Sequence, residues 1–138
     1  MHTYGTALAL AAVTVPDHLV ADAEVPVLAG PQAQGDLMVI PTVAPLHLDW
    51  TTVPAVGVQV VHGEATGNTH WLHRGFDSIG VLWARVDQGV VIGYVDVPVG
   101  QSALLVHTDE HGANGLAAGV YAIHGKREQA DEIRRVAD

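Results

Sequence analysis

The sequence predicts an all-β fold, a small sandwich or barrel, and three observations lead to this prediction. Valine is the commonest residue, and its branched Cβ fits a pleated strand better than a helix. Fifteen glycines and seven prolines interrupt the valine-rich runs, as turns between strands require. With 138 residues and no cysteine, the chain has the length of one domain and forms its core without disulfides or thiolate-bound metal.

Residues 1–33 are predicted to form an extended N-terminal arm that precedes a β-domain at 34–138. The arm is apolar, its prolines bias the residues before them towards extended conformations, and no helical stripe stands out. Short strands are expected at 6–15 and 24–29. Because apolar side chains on an arm need a surface to cover, candidate partner-binding residues are Leu8, Leu10, Val13, Val15, Val25 and Val27. The alternative is that the arm is the first strand of the domain's own sheet.

The apolar run at 7–15 resembles the hydrophobic region of a signal peptide. The residues before it contain no Lys or Arg, so we expect the segment to remain part of the mature protein. No apolar run reaches the roughly 20 residues that a membrane-spanning helix needs. A membrane is therefore not expected among the partners.

The remainder of the chain predicts strands at intervals of about ten residues, which is typical of a sandwich or small barrel. The predicted strands are 36–42, 56–62, 78–87, 90–98, 102–108 and 119–125. A short hairpin loop is predicted at Asp87 to Gly89, where the glycine can adopt a positive φ. The final residues, ADEIRRVAD, predict a short C-terminal helical turn, because acidic residues precede the arginines in the order that the helix dipole favours.

The charge distribution argues against nucleic acid as a partner. The formal net charge is −9, and residues 1–125 carry only two basic side chains, Arg74 and Arg85. The last thirteen residues balance four basic against four acidic side chains. A surface this acidic repels phosphate.

Histidines are concentrated in two segments, VHGEATGNTHWLHRG at 61–75 and VHTDEHG at 106–112. If these segments lie on adjacent strands, a carboxylate and imidazole set of the kind found in cupin-like metal sites is available. Its members would be Glu64, His70, Glu110 and His111. The alternative is that they are ordinary histidines of polar turns.

Five segments resemble a family of small, largely uncharacterised proteins of phages and bacteria. They are QGDLMVIP (34–41), GEATGNTH (63–70), DEHG (109–112), LAAGVYAI (116–123) and REQADEIRRVAD (127–138). The family pattern is approximately QGD…GEaTGHaH…HEEHG…RE…IRRVaD, and the resemblance covers about residues 34–138.

The chain departs from this pattern at two of its four histidines. Asn68 and Thr108 stand where the family has histidine, and His107 stands one position early. A shift of one residue on a strand turns a side chain to the opposite face. The resemblance therefore implies a retained scaffold with a degraded site, and no stoichiometric metal or other cofactor is expected.

Three functional hypotheses follow. The first is a non-enzymatic structural virion protein, a capsid decoration (cement) protein of a tailed bacteriophage, made in the host cytoplasm and located on the capsid surface. Its partners would be the major capsid protein and further copies of itself around a symmetry axis. The second is a cupin-like metal-binding protein or metalloenzyme. The third is a carbohydrate-binding β-domain, suggested by Trp50, Trp71 and Trp83.

Overall fold

Two β-sheets packed face to face form the protein, which confirms the all-β sandwich. The computed structural model describes residues 3–10, 24–62, 69–75, 77–107 and 112–125. Among these residues, no helix has the length and apolar character needed to cross a membrane.

The elements follow one another in a nearly continuous series of short strands. In chain order they are α1 Tyr4–Leu10, β1 Val27–Leu28, β2 Gln32–Gln34, β3 Leu37–Pro41, β4 Thr51–Thr52, β5 Val58–His62, β6 Thr69–Arg74, β7 Leu82–Gln88, β8 Val91–Val97, β9 Ala103–His107, β10 Ala113–Leu116 and β11 Gly119–His124. The first sheet has the order β1-β10-β9-β6-β5 and the second the order β2-β3-β11-β8-β7-β4. The described strand pairs are antiparallel, apart from the parallel pair β1 and β10.

The main core lies between the two sheets. Its side chains come from alternate positions of the strands, for example Leu72 of β6, Leu105 of β9 and Tyr121 of β11. Each fully buried aliphatic or aromatic side chain contributes roughly 1.5–3 kcal/mol relative to its exposed state. Because alternate residues of a strand face opposite sides of the sheet, the alternation of apolar and polar residues predicts both the strand and the face that packs inward.

Polar side chains join the two sheets at both sides of the sandwich. On one side, Arg85 Nη2 of β7 donates to the carbonyl oxygens of Gln59 and Val60 in β5 at 2.6 and 3.0 Å. On the other, Gln32 Nε2 of β2 donates to the carbonyl oxygen of Gly115 in β10 at 2.8 Å. Charged and amide donors thus satisfy carbonyl groups close to the sheet edges.

Each of the six strands predicted after the arm has an observed counterpart, but the short strands β2 and β4 and the longer strands β6 and β10 were not predicted. The sequence of β6, THWLHR, was interpreted as a polar histidine segment because two of its buried positions are His70 and His73. The sequence of β10, ANGL, lacks β-branched residues. The predicted hairpin exists, and Gly89 adopts a φ of 58°.

The arm differs from its prediction at its start, because Tyr4–Leu10 is a helix where a strand was expected from residue 6. Thr3 caps this helix: its Oγ1 accepts from the Thr6 amide at 3.2 Å, and Thr6 Oγ1 accepts from the Thr3 amide at 2.9 Å. This reciprocal arrangement satisfies amide groups that the first turn leaves without partners. The capping hydrogen bonds between Thr3 and Thr6 favour a helix here over the extended conformation predicted from the apolar run.

In the arm, β1 joins the edge of the first sheet beside β10, whereas α1 and the residues just before β1 pack on the outer face of that sheet. Ala7 and Val25 are buried there with Leu104, Val106 and Ala113 in a second, smaller apolar cluster. The strand predicted at 24–29 is confirmed in part by β1. The boundary predicted between residues 33 and 34 falls within β2. The predicted C-terminal helical turn lies outside the described residues.

Candidate functional site

The two histidine-rich segments meet at one end of the sandwich, here called the histidine end. There β5 ends and β6 begins, with His62 and Thr69 as Cα partners. The last residue of β9, His107, donates its amide hydrogen to the carbonyl oxygen of Gly112, just before β10, at 2.8 Å. The condition on which the metal hypothesis depended is therefore met, because β6 and β9 are neighbours.

A pair of buried histidines forms the centre of this end. His70 and His107 are Cα partners on adjacent antiparallel strands, so their side chains project from the same face of the sheet. That face is directed into the sandwich, and the two residues are 4% and 2% exposed. Their ring centroids lie 4.2 Å apart with the planes inclined by 38°.

Gln34 fixes the tautomer of His70. Its Nε2 donates to the Leu105 carbonyl oxygen at 2.7 Å and to Asn114 Oδ1 at 2.8 Å, so the amide nitrogen must point towards these acceptors. Gln34 Oε1 then lies 2.9 Å from His70 Nδ1 and accepts a hydrogen from it. A neutral His70 therefore carries its lone pair on Nε2.

Asn114 in turn holds Gln34 in place. Its Nδ2 donates to Gln32 Oε1 and to the Ala33 carbonyl oxygen, both at 3.2 Å. Gln34 is 1% exposed and belongs to the second sheet, whereas His70 and Asn114 belong to the first. The network therefore links the two sheets and orients the imidazole in advance of any ligand.

Of the four predicted metal ligands, the structure describes one. His70 occupies the position given above, while Glu64, Glu110 and His111 lie outside the described residues. Within the described ranges, no group of three or more His, Asp or Glu side chains is arranged to hold a metal ion. The pair of His70 with His107 was not anticipated, since the shifted position of His107 had been interpreted as the loss of a site residue.

His73 belongs to the other face of β6 and to a different environment. Its side chain is 1% exposed, and neither ring nitrogen has a hydrogen-bond partner in the structure. Burial lowers the pKa of the His73 imidazole from its ordinary value of 6.5. Gly57 makes room for the ring, because a Cβ at that position would lie 2.6 Å from Nδ1 of His73.

The tryptophans do not share a face. Trp83 is buried in the core between the sheets, where Gly93 leaves space for its ring. Trp71 lies on the outer face of the first sheet, with its ring centroid 6.3 Å from that of His73. Trp50 is half-buried in the loop before β4. An aromatic platform made of all three, as the carbohydrate hypothesis requires, is not present.

The opposite end of the sandwich, here called the apolar end, exposes large apolar side chains. It is formed by the loops β3–β4, β4–β5, β6–β7 and β8–β9. The side chains in these loops that are 71–94% exposed are Val43, Leu46, Val56, Ile79 and Val99. Single exposed apolar residues are ordinary, but several on loops at one end indicate a surface that binds another molecule.

The candidate residues of the arm fall into three groups. Val25 is 2% exposed and packs within the chain itself, whereas Val27 is 43% exposed on the edge strand β1. Leu8 and Leu10 belong to α1, but their side chains lie outside the described residues, as do Val13 and Val15. Val27 is thus the member of the set that the structure shows at the surface.

Sequence reasoning missed Gln34, Asn114 and the role of His107. Gln34 and His70 are 36 positions apart, and Gln34 and Asn114 are 80 apart. The available signal was the alternation in THWLHR, which predicts a strand if histidine is allowed at buried positions. It would have placed His70 and His73 on opposite faces.

Fold and site together define a two-sheet β-sandwich domain with a buried histidine pair at one end. Residues 33–126 match the model of a family described as a domain of unknown function (DUF8820). Because the match covers more than half of the chain, the protein belongs to this family. Neither the curated proteins nor the solved structures include a significant match to the chain.

Proposed function

We propose that this protein is a structural assembly protein that attaches to another protein surface through its apolar end, and that it is a capsid decoration protein of a tailed phage. The observation that carries the proposal is the exposure of five large apolar side chains on loops at one end of the sandwich. Moving such a side chain fully into an interface contributes roughly 1.5–3 kcal/mol before the costs of association.

The charge of the protein supports an apolar rather than an ionic contact. The formal net charge is −9, with six basic side chains in the whole sequence. A protein of this composition has few cations to place opposite acidic groups of a partner. Attachment should therefore persist at several hundred millimolar salt, where screening weakens exposed ion pairs.

The capsid as the partner is the narrower part of the proposal, and it rests on the resemblance of residues 34–138 to proteins of phages and bacteria. The partners would be the major capsid protein and further copies of this chain around a symmetry axis. The arm would contribute through Val27, which is 43% exposed on the edge strand β1.

The test begins with particles from cells that carry the gene. Density-gradient fractions are analysed for this chain and for the major capsid protein, and we expect the two to migrate together in a constant ratio. Recombinant protein is then added back to particles from which the chain has been removed. Absence of the chain from the particle fractions would contradict the proposal.

Two matched variants locate the attachment surface. Val43→Asp combined with Leu46→Asp places two charges at the apolar end and should abolish rebinding. Val90→Asp changes a side chain that is 37% exposed at the histidine end and should rebind like the unaltered protein. If both variants bind equally well, the apolar end is not the attachment surface.

A further inference from the structure

We infer that His70 and His107 form a binding site for a divalent transition-metal ion of the zinc, nickel or copper type. Imidazole nitrogen is a preferred ligand for these ions, whereas calcium and magnesium take oxygen ligands. This inference is independent of the proposed function, because it concerns the opposite end of the sandwich. It replaces the expectation, drawn from Asn68 and Thr108, that the chain lacks a metal site.

The register of the strands brings the two rings together. His70 and His107 are direct Cα partners on one face of the sheet, and their ring centroids are 4.2 Å apart. Two imidazoles that share a tetrahedral zinc ion have centroids roughly 5 Å apart, given Zn–N bonds of about 2.0–2.1 Å. The observed separation of the two rings is therefore close to the separation that a shared ion requires.

The second argument is the orientation of His70. Gln34 Oε1 accepts from His70 Nδ1 at 2.9 Å, and the two other contacts of the Gln34 amide leave no alternative orientation. Histidine ligands of metals usually donate their second ring hydrogen to an oxygen acceptor in this way, which fixes the tautomer and directs the other nitrogen to the ion. Gln34 is thus a positioning residue for His70.

The third argument is location. His107 is the last residue of β9 and His70 the second residue of β6, so the pair lies at the end of the sandwich rather than in its centre.

The test is a titration of the protein with zinc chloride, measured by isothermal titration calorimetry in a buffer that does not chelate metals. We expect one zinc site per chain that is weakened at least about tenfold in His70→Gln and in His107→Gln. The matched control is His73→Gln, because His73 is equally buried on the same strand but projects from the opposite face. Its affinity should remain that of the unaltered protein, and magnesium should produce no binding heat.

Two further measurements keep the test decisive if a histidine variant does not fold. The electron paramagnetic resonance spectrum of copper(II) bound to the unaltered protein should show hyperfine coupling to two imidazole nitrogens. Gln34→Leu should weaken zinc binding about 10–100-fold, because it removes the oxygen that accepts from Nδ1 of His70. Unchanged affinity in both His70→Gln and His107→Gln would overturn the inference, as would equal loss in His73→Gln or coupling to fewer than two nitrogens.

Discussion

At the histidine end polar side chains are buried, whereas at the apolar end large apolar side chains are exposed. Gln34, His70 and His107 are each at most 4% exposed, while Val43 and Val99 are at least 90% exposed. The buried amides and imidazole are stable because they hydrogen-bond to one another across the two sheets. The exposed valines have no such partners within the described chain.

The two ends of the sandwich should therefore differ in what they contribute to folding and to binding. A buried polar network contributes to folding, because removing one member leaves others buried without their hydrogen bonds. An exposed apolar side chain contributes little to folding, since it is in water in both the folded and the unfolded state. Substitutions at the histidine end should therefore change stability, and substitutions at the apolar end should change binding.

The largest effect is expected for Gln34→Ala. The substitution removes the hydrogen bonds to the Leu105 carbonyl oxygen and to His70 Nδ1, and it leaves a cavity. We expect the free energy of unfolding, measured with urea, to fall by about 3–5 kcal/mol. The matched control is Gln101→Ala at the apolar end, where Oε1 accepts only the Gly80 amide at 2.8 Å and the loss should be about 1 kcal/mol. Equal losses would remove the distinction between the two ends.

A smaller loss of stability is expected for Gly115→Ala. This substitution tests how strongly β1 is held against β10, close to the histidine end. A Cβ at Gly115 would lie 2.5 Å from the Pro26 carbonyl oxygen, so the segment that contains β1 must move. We expect a loss of about 1–3 kcal/mol in urea unfolding. Gly30→Ala is the control, because a Cβ there meets no atom within 4 Å. An unchanged stability for Gly115→Ala would favour the separable arm that the sequence predicted.

His73 supplies a pH-dependent effect that belongs to neither end. Because burial lowers its pKa, the unfolded chain binds a proton more readily than the folded one between the ordinary value of 6.5 and the lower folded value. The stability contribution of a neutral His73 is thus present above pH 6.5 and is lost as the pH falls through this interval. We expect His73→Phe to flatten the acid side of the stability profile relative to the unaltered protein. Parallel profiles for the two proteins would show that another group controls the acid response.

The smallest effect on stability is expected at the apolar end. Val43→Asp with Leu46→Asp should change the free energy of unfolding by less than about 0.5 kcal/mol per substitution, since both side chains are already in water. The same variant is the one expected to lose attachment to its partner. A loss of 2 kcal/mol or more would instead assign these side chains a role in the fold.

Much of the fold was accessible from local patterns. The strands β8 and β11 were predicted because apolar side chains alternate within them and glycines precede or follow them. The helix α1 was not predicted, although Thr3 and Thr6 form a local cap. The strand β6 was missed because buried histidine contradicts the usual partition of residues between core and surface.

The candidate site was accessible only in part. The sequence analysis selected His70 and the two histidine-rich segments. It proposed a metal site on the condition that these segments lie on adjacent strands. The pairing itself depends on the register of β6 against β9, which the spacing of histidines along the chain does not determine. One residue of slip would place His70 opposite a different side chain and separate the two rings.

The sequence by itself determined the class of fold, most of the strands and the acidic, cysteine-free character of the chain, because each depends on composition or on neighbours within a few residues. The tertiary structure alone decided that His107 faces His70, that Gln34 reaches across from the other sheet, and that the exposed valines, leucine and isoleucine share one end. These features join residues tens of positions apart. They exist only once two sheets have packed, since packing brings the Gln34 amide within hydrogen-bonding distance of His70 and leaves the loops of the opposite end uncovered.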